Sequence, residues 1–335
     1  MQVQSEEEQK REESGALPLD WTRVERNDEE DEDDKEEDEA KNKVHHVIHY
    51  PWQVTEINKE DEELVVVGTA GQKITKMGME LGDYCSPKLK QLIFRSHLIR
   101  TMEGLSTFEE LELLELYDNM VDALQALNEG RNGAPGATLK VLDMSYNVIR
   151  DMEPVSFCPN LRELYLANNK LKTMEGLKHL KNLVKIDLGA NKIRVMDPEE
   201  LGGLESLEEL WLGKNKIEEI QGLEKLTKLR RLDIQSNRLR VVRNLSAQVE
   251  TLEELYLAHN GIEDQGVLDP TGISLKFSQL STLDLSRNSL TTTQPFTHLV
   301  SLEELWLSGN KIENFDQVAP LSHLTGLDTV YLEYN

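Results

Sequence analysis

The sequence predicts a parallel β solenoid of about eleven coils, and three observations predict it. A nine-residue phrase recurs along the chain, as LRELYLANN (161–169), LEELWLGKN (207–215), LEELYLAHN (252–260) and LEELWLSGN (302–310). Aligned on its first leucine, the phrase starts at Leu89, Leu111, Leu139, Leu161, Leu183, Leu207, Leu229, Leu252, Leu280, Leu302 and Leu327, most often 22 residues apart. Its ninth position is Asn in every unit but the first, which has His97. A chance match is possible for one phrase but not for eleven in phase.

Each element follows from the residues in order. The unit L-x-x-L-x-L-x-x-N-x-L/I with a 22-residue period is the leucine-rich-repeat pattern, so the fold class is a leucine-rich-repeat solenoid. Positions four and six are two apart, the strand period, and point to one side. The ninth-position Asn is expected to be buried, with its amide bonded to backbone at the bend where each coil leaves the strand, because a buried amide needs both donor and acceptor partners. After the bend, apolar residues come three apart (Leu171, Met174, Leu177, Leu180), which suits a short 3₁₀ or extended segment rather than a long helix. Strands therefore form a curved parallel sheet on the concave face, with short 3₁₀ or loop segments on the convex face. Two 28-residue spacings carry insertions, NEGRNGAPGA (128–137) and DQGVLDPTGI (264–273), expected to bulge from the outer arc as surface loops.

The ends differ from the middle. Residues 1–63 hold 23 acids and 8 bases, about −15 of the formal −25 of the chain, with little apolar surface to bury, and read as an acidic disordered arm. Residues 64–88 read as an irregular N-terminal capping segment, a half-coil with Val65 and Val67 alternating and Ile74 and Met77 at outer-arc spacing. The repeats run 89–335, and the eleventh reads as incomplete and uncapped because the sequence given stops at its Asn335.

Composition excludes several classes of function. An acidic chain has no broad basic surface for nucleic acid or anionic membrane. Two cysteines 73 positions apart make neither a disulfide framework nor a Cys-based metal site. The cluster HHVIHY (45–50) lacks a nearby Cys and does not read as a metal site. No signal-peptide core and no run of 18 apolar residues is present, so a reduced, soluble intracellular chain, monomeric on its own, is expected. There is no phosphate loop and no Cys/His pairing. Carboxylates such as Asp187 and Asp233 lie on an open face, where burial is not expected to raise a pKa. The expectation is no enzyme, no cofactor and no metal.

What remains is a binding face. Position five lies between two inward leucines, so its side chain points outward from the strands. Along the array it reads Ile93, Glu115, Asp143, Tyr165, Asp187, Trp211, Asp233, Tyr256, Asp284, Trp306 and Tyr331, with Glu163, Glu209, Glu254 and Glu304 at position three beside it. Aromatics of this kind dominate protein-binding hot spots, and the interleaved acids suit basic residues of a partner. Ten gaps of about 4.8 Å give a stripe of roughly 45–50 Å, the scale of a folded protein.

The phrases LKTMEGL (171–177), LGKNKIEEIQGL (212–223), IQSNRL (234–239), LEELYLAHNGIE (252–263) and TVYLEYN (329–335) resemble those of the leucine-rich-repeat regulators of type-1 protein phosphatase. The similarity covers about 74–335, and an acidic N-terminal arm precedes the repeats in that family too. The two insertions depart from the family pattern. The resemblance implies a non-catalytic subunit of the nucleus and cytoplasm that grips the phosphatase catalytic subunit with its concave face. By register the contacts are Asp143, Tyr165, Asp187, Trp211, Glu304, Trp306 and Tyr331, and the residues of the same stripe add Asp233 and Tyr256. The short phosphatase-docking pattern, basic residue–Val–x–Phe/Trp, does not occur, so binding rests on the folded face. An acidic histone-binding protein or chaperone, or a ciliary or splicing scaffold, is the alternative reading.

Overall fold

The computed structural model describes residues 47–129 and 135–335. The repeat phrases all become strands of one parallel sheet: β4 (Gln91–Arg95), β5 (Leu113–Glu115), β6 (Val141–Asp143), β7 (Glu163–Tyr165), β8 (Lys185–Asp187), β9 (Glu209–Trp211), β10 (Arg231–Asp233), β11 (Glu254–Tyr256), β12 (Thr282–Asp284), β13 (Glu304–Trp306) and β14 (Thr329–Tyr331). Neighbours in sequence are neighbours in the sheet, which is open, with β14 at one edge. At the other edge lies a twelfth strand, β2 (Glu63–Val67), paired with β4. The leucine-rich-repeat solenoid is thus as the repeat pattern predicts, with one coil more than the phrases count.

That extra coil revises the reading of the N-terminus. Residues 64–88 form a full coil whose Leu64 and Val66 are buried opposite Leu92 and Phe94, while Val65 and Val67 are exposed. Ile74 and Met77 are fully buried at the outer-arc positions the spacing suggests. Residues 47–63, assigned to the disordered arm, have structure. Strand β1 (Val47–Ile48) pairs with β3 (Lys73–Ile74), and Trp52 stacks between Tyr50 and Tyr84 at ring-centroid distances of 4.7 and 4.4 Å. Three aromatics close enough to stack supply the apolar burial that the charge count of the segment hides. The dense acidic run 27–41 lies outside the described residues.

The core is a single column of side chains. Positions one, four, six and eleven are buried from the coil of Leu89 to that of Leu302, as in Leu161, Leu164, Leu166 and Leu171, while Leu327, Val330 and Leu332 of the last coil are partly buried. At the bend, position eight is left-handed in every coil, from Ser96 (φ 57°) to Tyr334 (φ 58°), and only Gly309 is a glycine there. Left-handed backbone costs a non-glycine residue roughly 1–2 kcal/mol, and the Asn that follows offsets it. Asn191 accepts a hydrogen bond from the Leu171 N–H (3.0 Å) and donates to the carbonyls of Leu166 (2.9 Å) and Leu188 (3.0 Å). The same set recurs from Asn119 to Asn335, tying each coil to the one before it. His97 takes this place in its coil. Its Nδ1 accepts from the Ile74 N–H and its Nε2–H donates to the Val66 carbonyl, and burial lowers its pKa to about 4. A neutral imidazole thus offers the one acceptor and one donor that the amide supplies elsewhere.

Among the described residues the outer arc is thin, as expected: 3₁₀ segments of three to five residues and two one-turn α-helices, Leu81–Tyr84 and Pro198–Leu201. The second insertion is not the loose surface loop its composition suggests. Val267 and Ile273 are fully buried, and the backbone presses on the preceding coil through the bonds Val242 N–H to Gly266 O and Leu245 N–H to Thr271 O, both 2.8 Å. A Cβ on Gly272 would stand 1.8 Å from the Val242 carbonyl, so glycine there permits the close approach. Part of the first insertion, 130–134, lies outside the described residues.

Candidate functional site

Strand pairing brings the position-five side chains into one row, each opposite the next: Asp143 to Tyr165, Tyr165 to Asp187, Asp187 to Trp211, Trp211 to Asp233, Asp233 to Tyr256, Asp284 to Trp306, and Trp306 to Tyr331. Exact pairing follows from equal strand lengths and the absence of bulges. A slip of one residue would turn every inward leucine to the surface.

Acids and aromatics play different parts in this row. Each aspartate folds onto its own strand end. Asp187 accepts from the Gly189 N–H (2.8 Å), Asp233 from the Gln235 N–H (2.9 Å) and side-chain amide (3.0 Å), and Asp284 from the Ser286 N–H (2.8 Å). The large neighbours overhang them, so Asp233 is only 4% exposed. Burial raises the pKa of Asp143, Asp187 and Asp284, and that of Asp233 to about 6. The open-face expectation fails here because a short acid between Trp211 and Tyr256 is screened from water although the sheet itself is open. Asp233 is therefore a floor of the site and little of it can touch a partner directly.

Each aromatic reaches back to the glutamate two residues before it. The hydroxyls of Tyr165 and Tyr256 donate to Glu163 (2.7 Å) and Glu254 (2.6 Å), and the indole N–H groups of Trp211 and Trp306 donate to Glu209 and Glu304, both at 3.1 Å. These bonds fix the ring orientations and leave the rings half-buried along the row.

Two residues that the phrase-by-phrase reading missed complete the middle of the row. Lys185 places its Nζ 5.7 Å from the ring centres of both Tyr165 and Trp211 and pairs with Glu209 at 3.2 Å. Arg231 lies over the other side of Trp211, 5.1 Å from its centre, and pairs with Glu254. Burial works against ionisation of Glu209, but the bonds from Trp211 and Lys185 outweigh it and lower its pKa. The signal was present at position three, which reads Glu163, Lys185, Glu209, Arg231, Glu254, Thr282, Glu304 and Thr329 across the sheet. Beyond Glu254 the alternation breaks, and Thr282 stands where a base is due. There the Trp306 ring packs edge to face against two other rings, Tyr256 at 6.5 Å and Tyr331 at 5.4 Å. Glu304 lies between Thr282 and Thr329, and Tyr331 is 44% exposed. The row thus passes into an aromatic cluster with an acid, and among the described residues β12 and β14, the strands beside β13, carry no base.

Among the described residues no group of three or more His, Cys, Asp or Glu side chains could hold a metal ion, and no helix is long and apolar enough to cross a membrane. Cys85 and Cys158 are buried free thiols whose pKa values burial raises to about 11 and about 12.

Comparison with protein families matches leucine-rich-repeat models over 159–217, over paired repeats at 137–179, 205–247 and 278–320, and over 250–269. Comparison with curated proteins gives no match. Among solved structures, an internalin of Listeria monocytogenes is 22% identical over 83% of this chain and 82% of its own, with a TM-score of 0.69. A leucine-rich-repeat protein of Leptospira interrogans is 22% identical over 78% and 70%, with a TM-score of 0.61. The leucine-rich-repeat ectodomain of a plant membrane receptor kinase from Arabidopsis thaliana is 22% identical over 79% of this chain and 32% of its own, with a TM-score of 0.61. At these identities the likeness is one of fold. This chain is a leucine-rich-repeat protein, and its fold is generally a non-enzymatic scaffold for binding other proteins.

Proposed function

We propose that the chain is a non-catalytic regulatory subunit that binds the catalytic subunit of type-1 serine/threonine protein phosphatase through its concave face, in the nucleus and cytoplasm. Its repeat phrases resemble those of regulatory subunit 7 of that phosphatase. The observation that carries a protein-binding reading is the broken alternation at Thr282. Upstream, the row satisfies its own acids and rings with Lys185 and Arg231. Downstream, Glu304, Trp306 and Tyr331 offer the same surroundings with the cation left out, which suits a basic side chain of a partner. Aromatics already held by hydrogen bonds lose little freedom on binding, which favours affinity.

Titration calorimetry of the folded chain with the phosphatase catalytic subunit tests this. Trp306→Ala should weaken binding by at least about 2 kcal/mol, roughly 30-fold, and Glu304→Lys should weaken it further by repelling the same base. Both variants should melt close to the parent, because neither residue lies in the leucine column. Absence of binding by the parent chain would remove the phosphatase reading. Unfolding of Trp306→Ala, with binding spared in whatever stays folded, would remove the concave site.

A further inference from the structure

A second surface of opposite charge lies on the flank where the chain leaves the strands. Between the buried Asn of position nine and the outer arc, the backbone is extended and its side chains alternate. Position eleven (Leu171, Ile193, Ile217, Leu239) is fully buried and position twelve faces outward, while at position ten Lys170 is buried, Lys192 and Lys216 are half-buried and Arg238 is exposed. Position ten carries Lys170, Lys192, Lys216 and Arg238 in four consecutive coils. Backbone bonds of 2.8–2.9 Å from these four residues to Ile149, Leu171, Ile193 and Ile217 hold them in one ladder. Position twelve adds Lys172, Arg194 and Arg240, all exposed, and Lys214 is exposed beside them.

Over positions eight to twelve of these four coils the chain has eight bases and one acid, Glu218, in a protein whose formal charge is −25. Glu218 faces Arg238 at 4.0 Å. On the opposite flank, bases and acids are mixed along the strands' entry, with Lys140 beside Glu112 at 2.7 Å and Arg230 beside Glu253 at 2.8 Å. In the coils of β7 to β10 the excess of bases therefore lies on one side.

We infer that this basic band is a docking surface for a short acidic segment of a partner protein, independent of the concave row. Three gaps of about 4.8 Å make the two rows roughly 15 Å long, the span of four or five extended residues. Position twelve continues as Arg150 one coil before the band, and acids lie beyond on either side, Asp122 in the coil before that and Glu263 in the coil after Arg240. A long polyanion such as a nucleic acid would have to run on across those acids, whereas a short peptide of Asp, Glu or phosphorylated residues need not.

Fluorescence anisotropy of the full chain with a labelled peptide of Asp and Glu tests the band. The triple variant Lys172→Gln, Arg194→Gln and Lys216→Gln should bind the peptide at least about tenfold more weakly at low salt, the loss shrinking as salt rises. Lys140→Gln with Arg230→Gln on the opposite flank, and Trp306→Ala in the concave row, should bind as the parent does. Thermal melts check that each variant is folded. Peptide affinity of the triple variant equal to that of the parent overturns the inference. So does tighter binding of a single-stranded RNA of equal charge, which would make the band a nucleic-acid surface instead. Loss of peptide binding in Trp306→Ala also overturns it, because the peptide would then occupy the concave row.

Discussion

The stretch from Tyr165 to Tyr256 and the stretch from Tyr256 to Trp306 are built from the same two strand types, one with Glu before an aromatic and one ending in Asp, yet they are not equivalent. In the first, Lys185 and Arg231 fill the spaces between rings, so Trp211 carries a cation on each side. In the second, Thr282 leaves its space open, and Trp306 leans on Tyr256 and Tyr331. A surface that satisfies itself gains stability and loses appetite for a partner. One residue per coil decides which of the two a given strand pair becomes.

The sharpest way to break this difference is to fill the open space. Thr282→Arg should set a guanidinium between Tyr256 and Trp306, beside Glu304, as Arg231 sits beside Trp211 and Glu254. We expect it to lower affinity for the phosphatase catalytic subunit at least about 100-fold, or about 2.7 kcal/mol, with a melting temperature equal to or above that of the parent. Calorimetry and a thermal melt on the same sample check both halves of the statement. Unchanged affinity would show that the open space is not where the partner binds.

Asn191→Leu should strike the self-satisfied stretch from beneath. It strips partners from the Leu171 N–H and from the carbonyls of Leu166 and Leu188. A loss of about 2 kcal/mol in a denaturant melt is expected from leaving such groups buried and unpaired. An unchanged midpoint would mean that water reaches the bend.

The smallest effect separates the two stretches by pH. Asp233 titrates at about 6 in the folded chain, against an ordinary value of 3.8. The folded state therefore binds the proton more tightly than the unfolded state does. This group's contribution to stability is greatest below about pH 4 and falls as pH rises through about 6. Asp233→Asn, which keeps an acceptor for the Gln235 N–H, should gain on the parent in that window by an amount on the order of 1–2 kcal/mol. Urea melts of the pair from pH 4 to 8 would show it, and parallel curves would mean that Asp233 is hydrated. Asp284→Asn, with a smaller expected shift, is the companion for the other stretch.

Much of this molecule is written in its sequence, for a physical reason. A repeat contacts mainly its neighbours, so local pattern and global fold coincide. Leucine spacing set the strands and the inward column, the Asn of position nine set the ladder, and strand alternation turned Trp211 and Trp306 outward. What only the tertiary structure decided lies between coils. The pairing of β2 with β4 made a full coil of a segment that lacks the phrase, and Trp52 between Tyr50 and Tyr84 gave structure to part of a tract that composition assigns to an acidic arm. Neighbouring rings buried Asp233 although its own strand faces solvent. Lys185, Arg231 and Thr282 acquired their meaning from residues about 22 to 28 positions away, stacked beside them by the sheet. Period-two alternation reports which way a side chain points, and only the stacking of coils determines what it meets there.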